Sequence, residues 1–416
     1  MTKKSFLISA LTVFVQYYDY HLFGFLAAKI AKYFIPSINS TVQLMTTYLI
    51  MLAAMIAKPV GAIIFGRIGD IYGRSNSFGI SLIGTAIASF LISITPNYQQ
   101  IGLIAAFILL LARMVTCALV SSGTDGVRIY IYEHINKNNQ CLGMGVMTIF
   151  THAGSLVASI SAWFFTLEMM PDYGWRGAFL LGSIMGIIVF VFKCKLHIQD
   201  KVNIKDSVGF EQFKNLSTLT IMKKNIRLFL LCSIIAGGIG STNQFFIIFF
   251  GTYNFAVLKN INQSTMQFYT AAAICLYILF SLVGGYIADR IDRAKVTNIA
   301  IISILLLSVG HIYTLSTNQV SIILFLLTNI MLPFITIPAT AILAENIPTA
   351  FRHRILSISH AIGSIFISAP TAALATFLYH KTKIGWLPIT YFIITIVMIS
   401  FSLKYIKFVN ENKNSF

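Results

Sequence analysis

Charge is what this sequence has least of. Of its 416 residues, 10% are charged and 57% are hydrophobic, where a soluble domain carries about 25% charged residues. Acids are the scarcer sign, 13 against 30 Lys and Arg, which leaves a net charge of +17. Cysteine is sparse and scattered: Cys117, Cys141, Cys194, Cys232 and Cys275 include no C-x-x-C pair, so neither a metal site nor a disulfide framework is expected. The phosphate loop G-x-x-x-x-G-K-[ST] is missing, so ATP is not expected to drive the protein directly. H-E-x-x-H, G-x-S-x-G and C-x-x-C-H are missing as well, and with them the catalytic constellations they mark. No enzyme activity, no cofactor and no nucleic-acid partner are expected. In a membrane chain the position of positive charge carries more information than its sum.

What the sequence does have is apolar runs of around twenty residues, the length an α-helix needs to cross roughly 30 Å of hydrocarbon. Twelve such spans fall at about 8–33, 42–65, 77–95, 100–122, 141–164, 175–194, 227–251, 265–288, 296–316, 319–343, 355–378 and 385–408. The expected fold is therefore an all-α membrane protein, twelve transmembrane helices in two six-helix halves embedded in a lipid bilayer. The first half covers residues 1–195, a cytoplasmic linker 196–226 and the second half 227–416. The apolar character of "MTKKSFLISALTVF" continues past residue 26 without a persuasive cleavage site, so it reads as an uncleaved first span rather than a signal peptide. With both termini placed inside, the inner segments hold 21 Lys and Arg and the outer segments six. That asymmetry orients the termini toward the cytoplasm.

The halves repeat. After the second span comes Gly66-Arg67-Ile68-Gly69-Asp70-Ile71-Tyr72-Gly73-Arg74, and after the eighth comes Gly285-Tyr286-Ile287-Ala288-Asp289-Arg290-Ile291-Asp292-Arg293. Both fit G-x-x-x-D-x-x-[GD]-R, at an offset of 285 − 66 = 219. Glu133 and Glu345 follow the fourth and tenth spans, at an offset of 345 − 133 = 212. Parallel six-helix halves with a substrate site between them at the midplane are one plan of secondary transporters.

The loop "FGRIGDIYGRS", repeated in the second half, resembles the signature loop of the major facilitator superfamily. Within it the chain is similar to the metabolite:proton symporters, the group of the proline/betaine, α-ketoglutarate and shikimate transporters. "YYDYHLFGFLA" resembles that family's E-W-Y-D-F-x-x-Y-G-F, "KPVGAIIFGRIGDIYGR" its R-P-[LI]-G-G-x-x-F-G-x-x-[GA]-D-x-x-G-R, "YGWRGAFLLG" its W-G-W-R-x-P-F, and "AENIPTAFRHRILSISHAIG" its A-E-x-F-P-T-x-x-R-x-x-x-x-S-x-x-x-x-x-G. The chain departs from the pattern at Gln16 and Gly123, which stand where the family has acids, and at Lys58, where it has Arg. The resemblance implies that Asp70 with Arg67 and Arg74, and Asp289, Arg290, Asp292 and Arg293 in the second half, latch helices of opposite halves at the cytoplasmic mouth. Glu133, Glu345 and Arg352 would join these clusters. Gly66, Gly69, Gly73 and Gly285 permit the close backbone approach this needs.

Asp19 is the only carboxylate in the first span. It either binds and releases a proton in a central cavity or pairs with a basic residue on a neighbouring helix. Tyr17, Tyr18 and Tyr20 offer aromatic faces to a cationic ammonium, although only a minority of consecutive positions face one cavity, because each step turns about 100°. His21 is a relay or a structural residue. Asp125 and Arg128 lie three apart and can pair on one face. Arg113 lies twelve residues before Asp125, about 18 Å along the axis, which leaves it for a substrate carboxylate or for Asp19. The function expected is secondary active transport. The leading expectation is proton-coupled symport of a small polar organic zwitterion or organic acid across a bacterial inner membrane, with a monomer as the functional unit. An uncoupled facilitator or exchanger, or a non-transporting sensor with the same fold, is the alternative.

Overall fold

The computed structural model describes residues 3–36, 39–72, 74–195, 218–347 and 352–413. Gly73 and most of the linker lie outside them. So do the side chains of Arg67, Asp70, Arg74, Asp125 and Glu133.

The described chain runs through twelve helical rods and contains no strand. They are α1 (Lys3–Phe25 continued by Ala27–Phe34), α2 (Ser40–Met55 and Ala57–Tyr72), α3 (Arg74–Ile94), α4 (Leu103–His134), α5 (Gln140–Phe164) and α6 (Trp175–Lys195). Then follow α7 (Ile226–Leu258), α8 (Gln263–Arg290), α9 (Arg293–Ser316), α10 (Ile322–Met331 and Pro333–Glu345), α11 (Arg352–Gly363, Ser364–Ser368 and Pro370–Thr382) and α12 (Leu387–Lys413). Among the described residues ten helices are long and apolar enough to cross a membrane, and α3 supplies a shorter apolar stretch, Gly79–Ile94. The α1 rod, which carries Gln16, Asp19 and His21, falls outside that count. The reason these residues form helices is the solvent: in hydrocarbon every backbone N–H and C=O must be satisfied within the segment. Large apolar side chains such as Ile63, Phe107, Ile187, Leu306, Phe366 and Phe401 are exposed on the outside of the bundle, where lipid rather than water is their neighbour.

Contacts between the first six and the last six helices follow a two-fold pattern: α5 packs on α8 and α11 packs on α2, while α1 meets α7. Close approach is built with small residues, as in other membrane bundles. A Cβ added at Gly285 in α8 would sit 2.7 Å from the Cys141 carbonyl oxygen, and one at Gly145 in α5 would sit 2.7 Å from that of Ser281. The α5–α8 seam therefore depends on bare backbone from both sides.

Among the described residues three turns of π-helix interrupt the rods, at Gln244–Phe249 and Tyr253–Leu258 in α7 and at Ser364–Ser368 in α11. In α11 the Ala369 N–H donates to the Ser364 carbonyl five residues back, at 2.7 Å. Pro370 follows directly and has no N–H to donate, so the widened turn closes the backbone bonding just before the chain loses a donor. Such turns are frequent at functional sites.

Candidate functional site

Two clusters of polar side chains lie inside the bundle, and a third closes the end where the chain termini lie.

The first cluster joins α1, α3 and α4. Asp19 is 1% exposed and Arg113 is 0% exposed. Arg113 Nη1 lies 3.3 Å from Asp19 Oδ2 and 3.4 Å from the Asp19 carbonyl, and Nη2 donates to the Tyr20 carbonyl at 3.4 Å. The Ser89 hydroxyl donates to the other carboxylate oxygen. The guanidinium also stands 4.6 Å over the Phe23 ring, a cation–π contact that partly replaces lost hydration. Of the two partners left open for Arg113, a substrate carboxylate and Asp19, the structure brings it to Asp19 and ties it to the α1 backbone as well. Breaking such a buried pair from one side leaves an uncompensated charge.

The second cluster lies where the two sets of six helices meet. Tyr17 accepts from Arg128 Nη2 at 3.1 Å, and its ring packs edge-on against His21 at 5.5 Å. His21 Nδ1 meets the Ser155 hydroxyl on α5. Lys58 Nζ stands 5.2 Å over the Tyr20 ring and donates to Ser364 Oγ at 3.4 Å, across to the π-helical turn of α11. His152 of α5 stacks on Tyr277 of α8 at 4.0 Å, and the Tyr277 hydroxyl donates to Thr336 Oγ1 at 3.1 Å. Tyr18 is elsewhere: its hydroxyl donates to the Ala178 carbonyl on α6 at 2.7 Å, and it is fully buried there. Of the three tyrosines, Tyr17 and Tyr20 face the interface between the sixes, and Tyr18 packs within its own six. Lys58, His152, Tyr277, Gln244 and Asn243 were not singled out for this site from the sequence. Lys58 was marked only as a departure from a family motif; for the others the signal available was a polar side chain within an apolar run.

The third cluster is at the termini end. Asp289 of α8 accepts from the backbone N–H groups of Cys141 and Leu142, each at 2.8 Å. Its carboxylate thus caps the N-terminus of α5, where orphan donors and the helix dipole favour an anion. Arg293 bridges the seam, 3.9 Å from Asp289, 3.0 Å from Glu345 Oε2 and 3.3 Å from Gln140 Oε1. Arg352 donates from Nε to the Ile347 carbonyl at 3.0 Å and stands 5.5 Å from the Tyr132 ring on α4. Two of the expected latch residues have local roles: Arg290 lies 3.4 Å from the ring centroid of Tyr286, and Asp292 caps α9 by accepting from Ala294 and Lys295. Gly66, Arg67, Gly69 and Asp70 lie in the last turns of α2. Among the described residues no group of three or more His, Cys, Asp and Glu could hold a metal.

The profile of the Major Facilitator Superfamily matches residues 9–371. The chain belongs to the Major Facilitator Superfamily. Among curated proteins, the superfamily member described here is 27% identical over 409 residues to a Staphylococcus aureus (strain COL) protein provisionally named a proline/betaine transporter, covering 96% of this chain and 86% of that one. It is 23% identical over 415 residues to the proline/betaine transporter of Escherichia coli (strain K12), covering 95% and 81%. Among solved structures, the D-xylose-proton symporter superposes with a TM-score of 0.71 at 14% identity, over 97% of this chain and 96% of that one. The last comparison concerns the fold alone. The chain is a multi-pass membrane transporter of this superfamily, not an enzyme.

Proposed function

We propose that the chain is a proton-coupled symporter that imports a small organic solute, a proline- or betaine-like zwitterion or an organic acid, by alternating access. The observation that carries this reading is the Asp19–Arg113 pair, wholly buried among α1, α3 and α4. Ionisable groups inside a membrane bundle are costly and mark substrate or proton pathways. A proton on Asp19 competes with Arg113 for the same carboxylate, so its binding and release change how firmly α1 is held to α4. The relatives named for proline and betaine transport support the solute class.

The solute would sit between the two sets of six helices, with the Tyr17 and Tyr20 rings on one wall and Tyr277 on the other. The Asp289 cap on α5 would hold the termini end closed while the opposite end admits solute. Protonation and solute binding would each favour different members of the conformational set. The charge asymmetry supports both termini being cytoplasmic, the bacterial relatives support an inner membrane, and the working unit in this reading is a monomer.

The test is uptake by purified protein in liposomes. Proline, glycine betaine and α-ketoglutarate are offered with and without an inward proton gradient, to wild type and to Asp19→Asn. Gradient-stimulated uptake of one solute, lost in Asp19→Asn, is the expected result. A second reading, uncoupled exchange, is favoured by Gln16, a neutral residue that donates to Ser81 at 2.6 Å at the position where the family pattern it resembles has an acid. Uptake indifferent to the gradient would replace the first reading by the second.

A further inference from the structure

The π-helical turn of α7 opens with Gln244. Widening a helix by one residue per turn rotates the side chains that follow relative to a regular helix. Gln244 is 3% exposed, and its Oε1 accepts from Ser368 Oγ at 3.2 Å. Ser368 itself closes the π-helical turn of α11, so two irregular turns on neighbouring helices fix one amide. That contact uses the acceptor end. The donor end, Nε2, has no hydrogen-bond partner among the described residues. A buried amide N–H2 without a partner is rare enough in native structures to need an explanation. A donor that is buried, oriented and unmet by the described side chains is placed to meet a ligand acceptor.

The surroundings say what kind of acceptor. The other end of the same α11 turn, Ser364, accepts from Lys58 Nζ, so one turn of α11 holds an ammonium from α2 and an amide from α7. Between residues 260 and 288, 296 and 344, and 355 and 380 the chain has no Asp, Glu, Lys or Arg. Residues 226–258, which form α7, contain no Asp or Glu either, so the α7–α11 wall brings no carboxylate of its own to Gln244. A solute carboxylate meets a donor there with nothing to repel it, and a hydrogen bond to an ionised acceptor is the stronger kind.

We propose that Gln244, oriented by Ser368, is the donor that reads a carboxylate of the transported solute. This rests on the transport reading above and names the chemical group recognised. Gln244 contacts the solute; Ser368 is a positioning residue that acts through it. The consequence is a Gln244-dependent preference for an acid over its amide, because the same N–H2 bonds an ionised acceptor more strongly than a neutral carbonyl.

The experiment is uptake kinetics in proteoliposomes by wild type, Gln244→Met, Gln244→Glu and Ser368→Ala. Proline, glycine betaine and α-ketoglutarate are each competed with their carboxamides. Gln244→Met keeps the length and removes the donor, and its KM is expected to rise about tenfold with kcat retained. Gln244→Glu sets like charge against the carboxylate and is expected to abolish uptake of the acid. Ser368→Ala is expected to raise KM less than Gln244→Met, since the donor remains but is no longer held. Ser368→Ala leaves the Gln244 side chain in place, so it keeps the proposal testable if a substitution at Gln244 prevents folding, and the acid-over-amide preference is compared between each variant and wild type. A carboxamide that competes as well as its acid overturns the proposal, as does a Gln244→Met KM within about twofold of wild type. If wild type takes up none of the acids, the transport reading falls and this assignment with it. If uptake is normal and indifferent to Gln244, only this assignment falls.

Discussion

The first six and the last six helices share one plan and bury different chemistry. The first six place Asp19, Arg113 and Lys58 in the interior. The last six bury Gln244, Asn254, Gln267, His311 and Asn329, and their spans carry no Asp, Glu, Lys or Arg between residues 260 and 288, 296 and 344, or 355 and 380. An ionised group in hydrocarbon is costly wherever it sits, and away from the termini end, where Arg352 and the Asp289 side chain are buried as well, the buried charges of the described residues lie in the first six. One half buries a carboxylate–guanidinium pair. The other supplies neutral donors, aromatic surface and irregular helix turns. At the termini end the division disappears, because the G-x-x-x-D-x-x-[GD]-R pattern occurs in both halves.

The largest expected effect tests the charged half. Arg113→Leu leaves the Asp19 carboxylate buried against Ser89 alone, and removing one member of a buried pair costs about 3–5 kcal/mol. Thermal unfolding in detergent should show a large drop in Tm or a failure to accumulate folded protein. The double variant Asp19→Asn with Arg113→Gln removes both charges together and should recover much of that loss, while gradient-stimulated uptake stays absent. A double variant no more stable than Arg113→Leu would mean that the arginine matters through its bonds to the Asp19 and Tyr20 carbonyls and not through the carboxylate. A matching substitution of a buried neutral residue in the other half, Asn329→Leu, carries no charge to strand and should cost far less.

The next effect tests where the halves agree. Asp289→Asn exchanges the charged cap on α5 for a neutral one, which should weaken closure of the termini end by about 1 kcal/mol. Cys141 donates its backbone N–H to that cap and its side chain is buried, so its thiol reports the opening. In a protein with Cys194 and Cys275, the exposed cysteines, changed to Ser, maleimide labelling of Cys141 should speed up roughly fivefold. The repeat makes the comparison sharper. Asp70 is the counterpart of Asp289 at the offset of 219, and Arg352 is the counterpart of Gln140 at the offset of 212, as 352 − 140 shows. Asp70→Asn should therefore open the same end by a similar factor. If Asp70→Asn leaves Cys141 labelling unchanged, the latch belongs to the second half only.

These cases also mark what sequence could and could not yield. The twelve rods follow from run length and polar punctuation, because the bilayer fixes both. The repeated G-x-x-x-D-x-x-[GD]-R signature is legible from spacing, and in the second half the structure places its Asp289 on the N-terminus of α5. Asp19 stood out because a carboxylate in an apolar run is expensive. Its pairing with Arg113 stayed one of two alternatives, since Arg113 lies 94 residues away and helical spacing does not say which neighbours on other helices a side chain meets. The π-helical turns were not legible either. They arise from backbone bonding around Pro370 and along the Phe-rich stretch of α7, and no residue pattern in a single chain announces them. Gln244, which depends on two such turns, was invisible for the same reason.

The smallest effect separates two adjacent tyrosines that look alike in the sequence. Tyr17 and Tyr18 stand side by side in "YYDYHLFGF", and the helical turn of about 100° per residue sends them to different neighbours. Tyr17 meets Arg128 at the interface between the sixes, whereas Tyr18 donates to Ala178 on α6. Tyr18→Phe removes one hydrogen bond and leaves the Ala178 carbonyl without that donor. The cost should be about 0.5–1.5 kcal/mol of stability, with KM for the transported solute unchanged. Tyr17→Phe should do the reverse, with little change in Tm and a raised KM, because its hydroxyl orients Arg128 where solute would bind. Measuring Tm and KM on both variants settles which tyrosine touches the transport path. A KM change confined to Tyr18→Phe would move the solute off the interface between the two sets of six helices and into the first six alone.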